Sequence, residues 1–342
     1  MIGVLITGNS MHLFDLIQAL RNNYDGEKIH VVVINCDENE LLRDEVDARY
    51  VVPRITEPDY LSTVLRICEK ENVNVIFPRI TAELLIMAEN KSYFEDRGIK
   101  VSVSSPEVIK MVNDKVALAK VFPEYMPKQT LVHNALDCVA FATSVGYPNK
   151  RICCKLTGKC GGVGFCVIDE VRGRDMTLSN KFGMNRFITL GMLAELVETT
   201  NETVILQEYE EGTDCSICGL ADNGVLLHAL GFEAFVMEHG SAMAARISMN
   251  ESAIAITRKV VEATGIDGNF CCDFILKDDG SAVLLEVNPR LSATLPFIAE
   301  AGMNLPYMRV MQLLGKDVSG DANIHVNYDL KMHKRYEAEY FV

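Results

Sequence analysis

From residue 1 to about 105, short apolar runs alternate with stretches whose apolar positions recur every three or four residues. "IGVLITG" reads as a strand and "SMHLFDLIQALRNN" as an amphipathic helix, with Ser10 placed to cap it. "KIHVVVINCD" and "DARYVVP" are strands, "EPDYLSTVLRICEKEN" is a helix and "NVIFPR" a strand. "TAELLIMAENKSYFEDRG" predicts one helix ending at Gly98, and "IKVSVSS" a last strand. Such alternation predicts a parallel sheet with helices on both faces, which binds ligands beyond the carboxyl ends of its strands. Gly8, Asn9, Asp37, Arg79 and Glu83 fall there.

The later pattern differs. "PEVIKMVNDKVALAKVF" predicts one helix, and residues 135 to 147 another. "RICCKL" and "GFCVID" are strands around a glycine-rich turn, while residues 172 to 201 are polar and helical in part. "TVILQEYEEGTDCSICGLADNGVLLHALGF" is rich in strand, with a turn at "DNG". "NESAIAITRKVVEATGI" is an amphipathic helix. "NFCCDFILKDDGSAVLLEVNPR" holds two strands joined at Asp-Gly, a helix is expected over 296–314, and the tail from 316 is weakly patterned.

Composition narrows the classes. A chain of 342 residues, 49% hydrophobic and 23% charged, is a globular protein with room for two or three domains. Its net charge of −14 opposes a general nucleic-acid-binding field. No apolar run approaches the roughly 20 residues of a membrane span. The start reads as a core strand and not as a signal peptide, so a cytoplasmic location is expected. The eleven cysteines sit largely in apolar runs and are expected to be reduced. Cys215 and Cys218 form a CxxC, but on a strand they point to opposite faces. The turn "TGNSMH" lacks the GxGxxG of a dinucleotide fold, which opposes a nicotinamide oxidoreductase.

Three constellations carry chemistry. If Asp279 and Gly280 are the two central turn residues, Asp273 faces Glu286 and Cys271 faces Asn288. Asp273, Glu286 and Asn288 then share one face; a three-residue loop would shift the pairing by one. Opposed carboxylates repel unless a cation joins them. A trio of hard oxygens suits Mg²⁺, which keeps waters and substrate phosphates, and not zinc. A solvated strand edge is the other reading. In "KLTGKCGGVGF", Lys155 ends a strand and Gly158, Gly161, Gly162 and Gly164 fill the turn, with Lys159 at its tip; the loop fits phosphate or a flexible hairpin. In "ILQEYEEGTD" a strand ends in carboxylates, fitting an adenine edge and ribose hydroxyls or an exposed acidic loop.

Taken in order, "NDK", the strand lysine with its glycine loop, "QEYxxGxD", and an acid paired with "EVNPR" resemble the ATP-grasp superfamily. The resemblance is nearest to one ATP-grasp half of the carbamoyl phosphate synthetase large subunit and to single-unit carboxylate–amine ligases. It covers the chain to about 315.

It implies an α/β and α+β architecture, with a Rossmann-like pre-ATP-grasp domain at 1–110 before a two-lobed ATP-grasp fold. A small lid would span 120–206 and a large lobe 207–315 with 111–119, leaving 316–342 as an extension. The cofactors implied are ATP with one or two Mg²⁺, or Mn²⁺. Lys115 and Lys155 would meet the phosphates, and Gly161, Gly162 and Gly164 would form the closing loop. Gln207, Glu208 and Tyr209 would flank adenine, and Asp214 would hold ribose. Asp273, Glu286 and Asn288 would bind metal, and Arg290 would steady the moving phosphoryl group.

The activity implied is ligation of a small carboxylate to an amine or thiol. His12, Arg79, Glu83, Arg246 and Ser292 are the acceptor-side candidates, with Arg246 pairing the substrate carboxylate. The chain departs from the synthetase in having one grasp unit and "LSAT" after "NPR". A synthetase-like phosphorylating unit with a partner chain and a non-catalytic nucleotide-binding protein are the alternatives, and a homodimer is the oligomer considered.

Overall fold

The computed structural model describes residues 1–8, 13–38, 46–157, 164–174, 187–238, 240–320 and 322–335. The strands among them form three sheets. The first contains β1 (Ile2–Thr7), β2 (Ile29–Asn35), β3 (Ala48–Val51), β4 (Val73–Phe77) and β5 (Lys100–Val101). All pairs are parallel, in the order β3-β2-β1-β4-β5. The runs "GVLIT" and "VVVIN" are buried throughout, as strands covered by helices on both faces must be. The order reverses between β1 and β4, which places Thr7, Gly8 and Arg79 at the switch point where such sheets bind ligands.

Glu83 lies just behind that point. It belongs to the helix Thr81–Glu89 and is fully buried. Its carboxyl accepts hydrogen bonds from the hydroxyls of Thr7 and Tyr60, so it braces the end of β1 from inside the first domain. Burial pushes its pKa up to about 7, although both hydroxyls pull the other way. The folded protein therefore holds a proton that the unfolded chain, with a carboxyl near about 4.3, releases. Stability is full below that window and falls as pH rises through it, by roughly 3 kcal/mol once past pH 7. Glu83→Gln should flatten this slope and be the more stable form at pH 8. Urea midpoints measured from pH 4.5 to 8 check this; parallel profiles for the two proteins would reject it.

The second sheet holds β6 (Gln129–Val132), β7 (Ile152–Leu156), β8 (Cys166–Ile168), β9 (Phe187–Ile188) and β10 (Val204–Glu208), ordered β6-β10-β7-β8-β9. The helices Ala135–Val145 and Leu190–Thr199 share a core with it. The third sheet is antiparallel, with β11 (Thr213–Asp222), β12 (Val225–Glu238), β13 (Ser241–Ile247), β14 (Gly268–Leu276), β15 (Ala282–Asn288) and β16 (Lys331–His333). Its order is β15-β14-β11-β12-β13-β16. One face packs on Glu251–Thr264 and the helices near residue 115. The other shares a core with β1, β2 and the helix Leu13–Arg21.

Several predicted helices are broken. The 106–122 stretch divides into Pro106–Asn113 and Lys115–Val121, because Asp114 turns extended and its Oδ1 accepts from the amides of Val116 and Ala117. The helix predicted to run to Gly98 divides at Asn90 into Thr81–Glu89 and Lys91–Glu95. The expected 296–314 helix divides into Leu295–Glu300 and Leu305–Leu313, separated by Gly302 at φ +102° and capped anew by Asn304. The last predicted strand of the first domain shrinks to two residues. Conversely, β13 and β16 were not expected, and β16 comes from the weakly patterned tail.

Arg309 locks the first and third sheets together. It is almost wholly buried. Its guanidinium donates to both Asp267 oxygens at 3.0 and 2.7 Å, to Gln312 at 2.7 Å and to Ser102 at 3.1 Å. Gly268 sits against it at φ +95°, where a Cβ would lie 3.0 Å from Nε. The ten described cysteines are free thiols. Cys215 and Cys218 enter cores on opposite faces of the third sheet, as their spacing predicts. Among the described residues no helix is long and apolar enough to cross a membrane.

Candidate functional site

The β14–β15 hairpin sets the site. Its turn is not the expected two-residue one. Gly280 N donates to Lys277 O at 2.9 Å and Lys277 N to Ser281 O at 2.9 Å, so Asp278, Asp279 and Gly280 form a three-residue loop. Gly280 supplies the left-handed residue, at φ +83°. The strands leave the turn one residue out of the expected register, with Leu276 opposite Ala282. A second irregularity then leaves Leu285 unpaired and restores it. Beyond that bulge Asp273 faces Glu286 and Cys271 faces Asn288, the pairing expected from the wrong turn.

The resulting cluster is tightly connected. Asp273 Oδ1 accepts from Ser216 at 2.6 Å, across the β11–β14 pairing. The Asn288 amide donates to Asp273 at 3.0 Å and to Glu286 at 3.3 Å. Lys115, freed from the helix interior by the Asp114 cap, places Nζ 2.9 Å from Glu286. Withdrawal from water, then the Glu286 charge, pushes the Asp273 carboxyl up to about 6. The same withdrawal would raise Glu286, but Lys115 and Lys155 outweigh it and hold its pKa below the usual carboxylate range. Burial pulls the Lys155 ammonium down, opposed by Glu286 and Asp273.

This donor set fits Mg²⁺. It offers two carboxylates and an amide on paired strands, a few hard oxygens that leave room for water and phosphate. Among the described residues no group of three His, Cys, Asp or Glu gathers as a stronger all-protein metal site would require. Asn288 now turns its nitrogen toward both acids; a half-turn of the amide would present its oxygen instead.

Beside a cavity of about 590 Å³ that is lined by Lys110, Asp114, Lys115, Glu286 and Asn288, two adjoining cavities flank the cluster. One, of about 420 Å³, is lined by Lys115, Lys155, Asp273, Glu286, Asn288 and Arg290 and extends to Ser292. The other, of about 250 Å³, is lined by Gln207, Glu208, Tyr209 and Gly212. Lys155, Phe165, Asp214 and Met237 line both and mark the junction. Gln207 is buried beside Gln129, and the Tyr209 ring lies 4.6 Å from the Arg151 guanidinium. Gly164, at φ +74°, leaves space that Leu156 occupies.

The other expected residues fall in several places. Arg246 does not line these cavities among the described residues; its guanidinium is held by Glu233 at 2.6 and 3.1 Å on the neighbouring strand. Glu83 is enclosed in the first domain. Arg79 follows β4, and burial, then the charge of Arg290, lowers its pKa to about 10. Ser292 lies 3.1 Å from the Thr294 hydroxyl within the cavity that holds Asp273 and Arg290. Asn9, Ser10, His12, Gly158, Lys159, Gly161 and Gly162 lie outside the described residues. Sequence reasoning missed Ser216, Phe165 and Met237. Only Ser216 had a signal, its place on a strand that a known β11–β14 register would set opposite Asp273.

Comparison with known proteins agrees with this geometry. Residues 4–102 match the family model "PylC-like, N-terminal domain". Residues 200–337 match "ATP-grasp in the biosynthetic pathway with Ter operon". With its three sheets so arranged, the chain has a PylC-like N-terminal domain followed by an ATP-grasp fold. It is similar to the carbamoyl phosphate synthase large chain of Paenarthrobacter aurescens strain TC1, with 23% identity over 287 residues. That alignment takes in 79% of this chain and 24% of the relative, so the chain spans about a quarter of the length of the curated relatives it matches.

Among solved structures, N5-carboxyaminoimidazole ribonucleotide synthetase in its ADP complex superposes with a TM-score of 0.68 at 12% identity, covering 96% of this chain and 80% of that one. L-amino acid ligase from Bacillus licheniformis gives a TM-score of 0.65 at 12% identity, covering 95% and 78%. Both likenesses are of fold.

Proposed function

We propose that the protein is an ATP-dependent ligase that joins a small-molecule carboxylate to an amine, or to a thiol, through an acyl phosphate. The observation that carries this reading is the set of Lys115, Lys155, Asp273, Glu286, Asn288 and Arg290 around one cavity that adjoins a second, smaller one. Adenine would lie in the smaller cavity beside Gln207, Glu208 and Tyr209. Asp214, at the junction, would bond the ribose hydroxyls. Lys115 and Lys155 would meet the phosphates. Gly161, Gly162 and Gly164 would close over them.

Mg²⁺ held by Asp273, Glu286 and Asn288 would neutralise triphosphate charge and fix its orientation. The acceptor carboxylate oxygen attacks the γ-phosphorus, the bond to the bridging oxygen breaks, and ADP leaves. Arg290 would meet the charge that develops on the moving phosphoryl group. The amine then attacks the acyl carbon and gives up a proton, and the carbon–oxygen bond breaks to release phosphate. The acceptor would enter on the Ser292 side, where Arg79 approaches closely enough to feel the charge of Arg290.

The similarity to carbamoyl phosphate synthase supports a second reading, a bicarbonate-phosphorylating unit that works with a partner chain. One assay separates the two. ADP and phosphate release is measured with Mg²⁺-ATP against pooled amino acids, small peptides and dicarboxylates, with bicarbonate alone in a separate well. Release that needs a carboxylate and an amine together is the expected result. Release with bicarbonate alone favours the second reading, and nucleotide binding with silence in every well rejects both for the compounds tested.

A further inference from the structure

The tail beyond residue 315 has an assigned position but no assigned role. It runs to the edge of the third sheet, with Asn327 N donating to Ala301 O at 2.8 Å and Ile247 N to Leu330 O at 3.1 Å. β16 then pairs with β13, and Lys334 N donates to Met243 O at 2.8 Å. The Lys334 side chain turns inward and its ammonium donates to the carbonyl of Ala293 at 3.1 Å.

Ala293 occupies the middle of the short irregular segment after "NPR". Its neighbours Ser292 and Thr294 line the same cavity as Asp273 and Arg290. Among the described residues the segment has no strand partner. Beneath it is a hollow of about 470 Å³, bounded by Asp15 and Gln18 of the first domain, by Ala293 and Phe297, and by Lys334 itself. Leu291 and Leu295 anchor the ends of the loop in the core, but Ala293 between them borders the hollow, and there a charged hydrogen bond from behind holds its carbonyl. Burial makes an ammonium here unfavourable, with Asp15 the acid that opposes the effect.

We infer that Lys334 is a positioning residue for the acceptor half of the site, holding the Ser292–Thr294 loop against the metal and phosphate cluster through the Ala293 carbonyl. Its kinetic consequence rests on the ligase reading; its structural consequence does not. In the full chain, Lys334→Met should raise the KM for the carboxylate acceptor about tenfold, the scale of a lost charged hydrogen bond. The change in kcat should be smaller, and the ATP dissociation constant by calorimetry should stay within about twofold of wild type. Lys334→Arg keeps a donor within reach of Ala293 and should recover most of the loss.

Hydrogen exchange on the ATP-bound protein gives a readout independent of turnover. Amides of residues 292–295 should exchange about tenfold faster in Lys334→Met, while those of 286–288 are unchanged. If wild type shows no acceptor-dependent release, the ligase reading falls and the exchange result alone judges Lys334. Unchanged exchange at 292–295, or an unchanged acceptor KM in an active enzyme, overturns the assignment.

Discussion

Glu286→Gln is expected to reduce ATP turnover by at least about a thousandfold while the protein stays folded. The substitution removes one of two facing carboxylates and the counter-charge of Lys115, 2.9 Å away. It also leaves Lys115 and Lys155, which already repel one another, without the acid that balances both. The loss is electrostatic and not steric, since glutamine has nearly the same shape. Packing is spared because Leu284 and Val287, not Glu286, face the core. ADP release at saturating Mg²⁺-ATP measures the effect, and the thermal midpoint establishes that the variant folds. Wild-type turnover with an unaltered Mg²⁺ dependence would remove Glu286 from the metal site.

The second large effect concerns stability. Arg309→Leu should destabilise the protein by about 3–5 kcal/mol, because it strands a buried carboxylate. Among the described residues Asp267 would keep only Lys91 as a cationic partner, 3.9 Å away, in place of a bidentate one at 3.0 and 2.7 Å. Ser102 and Gln312 would lose their donor as well. Removing both charges, with Arg309→Leu and Asp267→Asn together, should recover part of the loss, since replacing a whole buried pair is far milder than breaking it. Urea unfolding, read at its first cooperative transition, tests both variants. A loss below about 1 kcal/mol in the single variant would show that Asp267 needs no guanidinium.

What the sequence discloses follows the range of the forces involved. The parallel sheet was legible because each buried strand announces itself as a continuous apolar run. The helix breaks were not, since "VNDKVALAK" keeps its apolar spacing across Asp114 and only the cap geometry divides it. β13 was hidden by composition: "SAMAARI" is rich in Ala and Met, which are good helix formers. Missing that strand also hid the partner of Arg246, because Glu233 faces it only in the β12–β13 register. Asp273, Glu286 and Asn288 were legible because one local hairpin brings them together. Ser216 and Lys334 reach the site across 57 and 41 residues of chain, by pairings that no local pattern predicts.

The two irregularities of the β14–β15 hairpin behave like compensating frameshifts. The extra turn residue displaces the reading of β15 by one position, and Leu285 displaces it back before Glu286 is reached. Had the turn closed on Asp279 and Gly280 alone while Leu285 stayed bulged, Glu286 and Asn288 would stand out of step with Asp273, toward the opposite face of the sheet. The same tighter turn on an unbulged strand would bring the letters back into frame. The choice of residues that close an exposed turn is thus coupled to the chemistry some six residues away, and that choice can change only together with its correction.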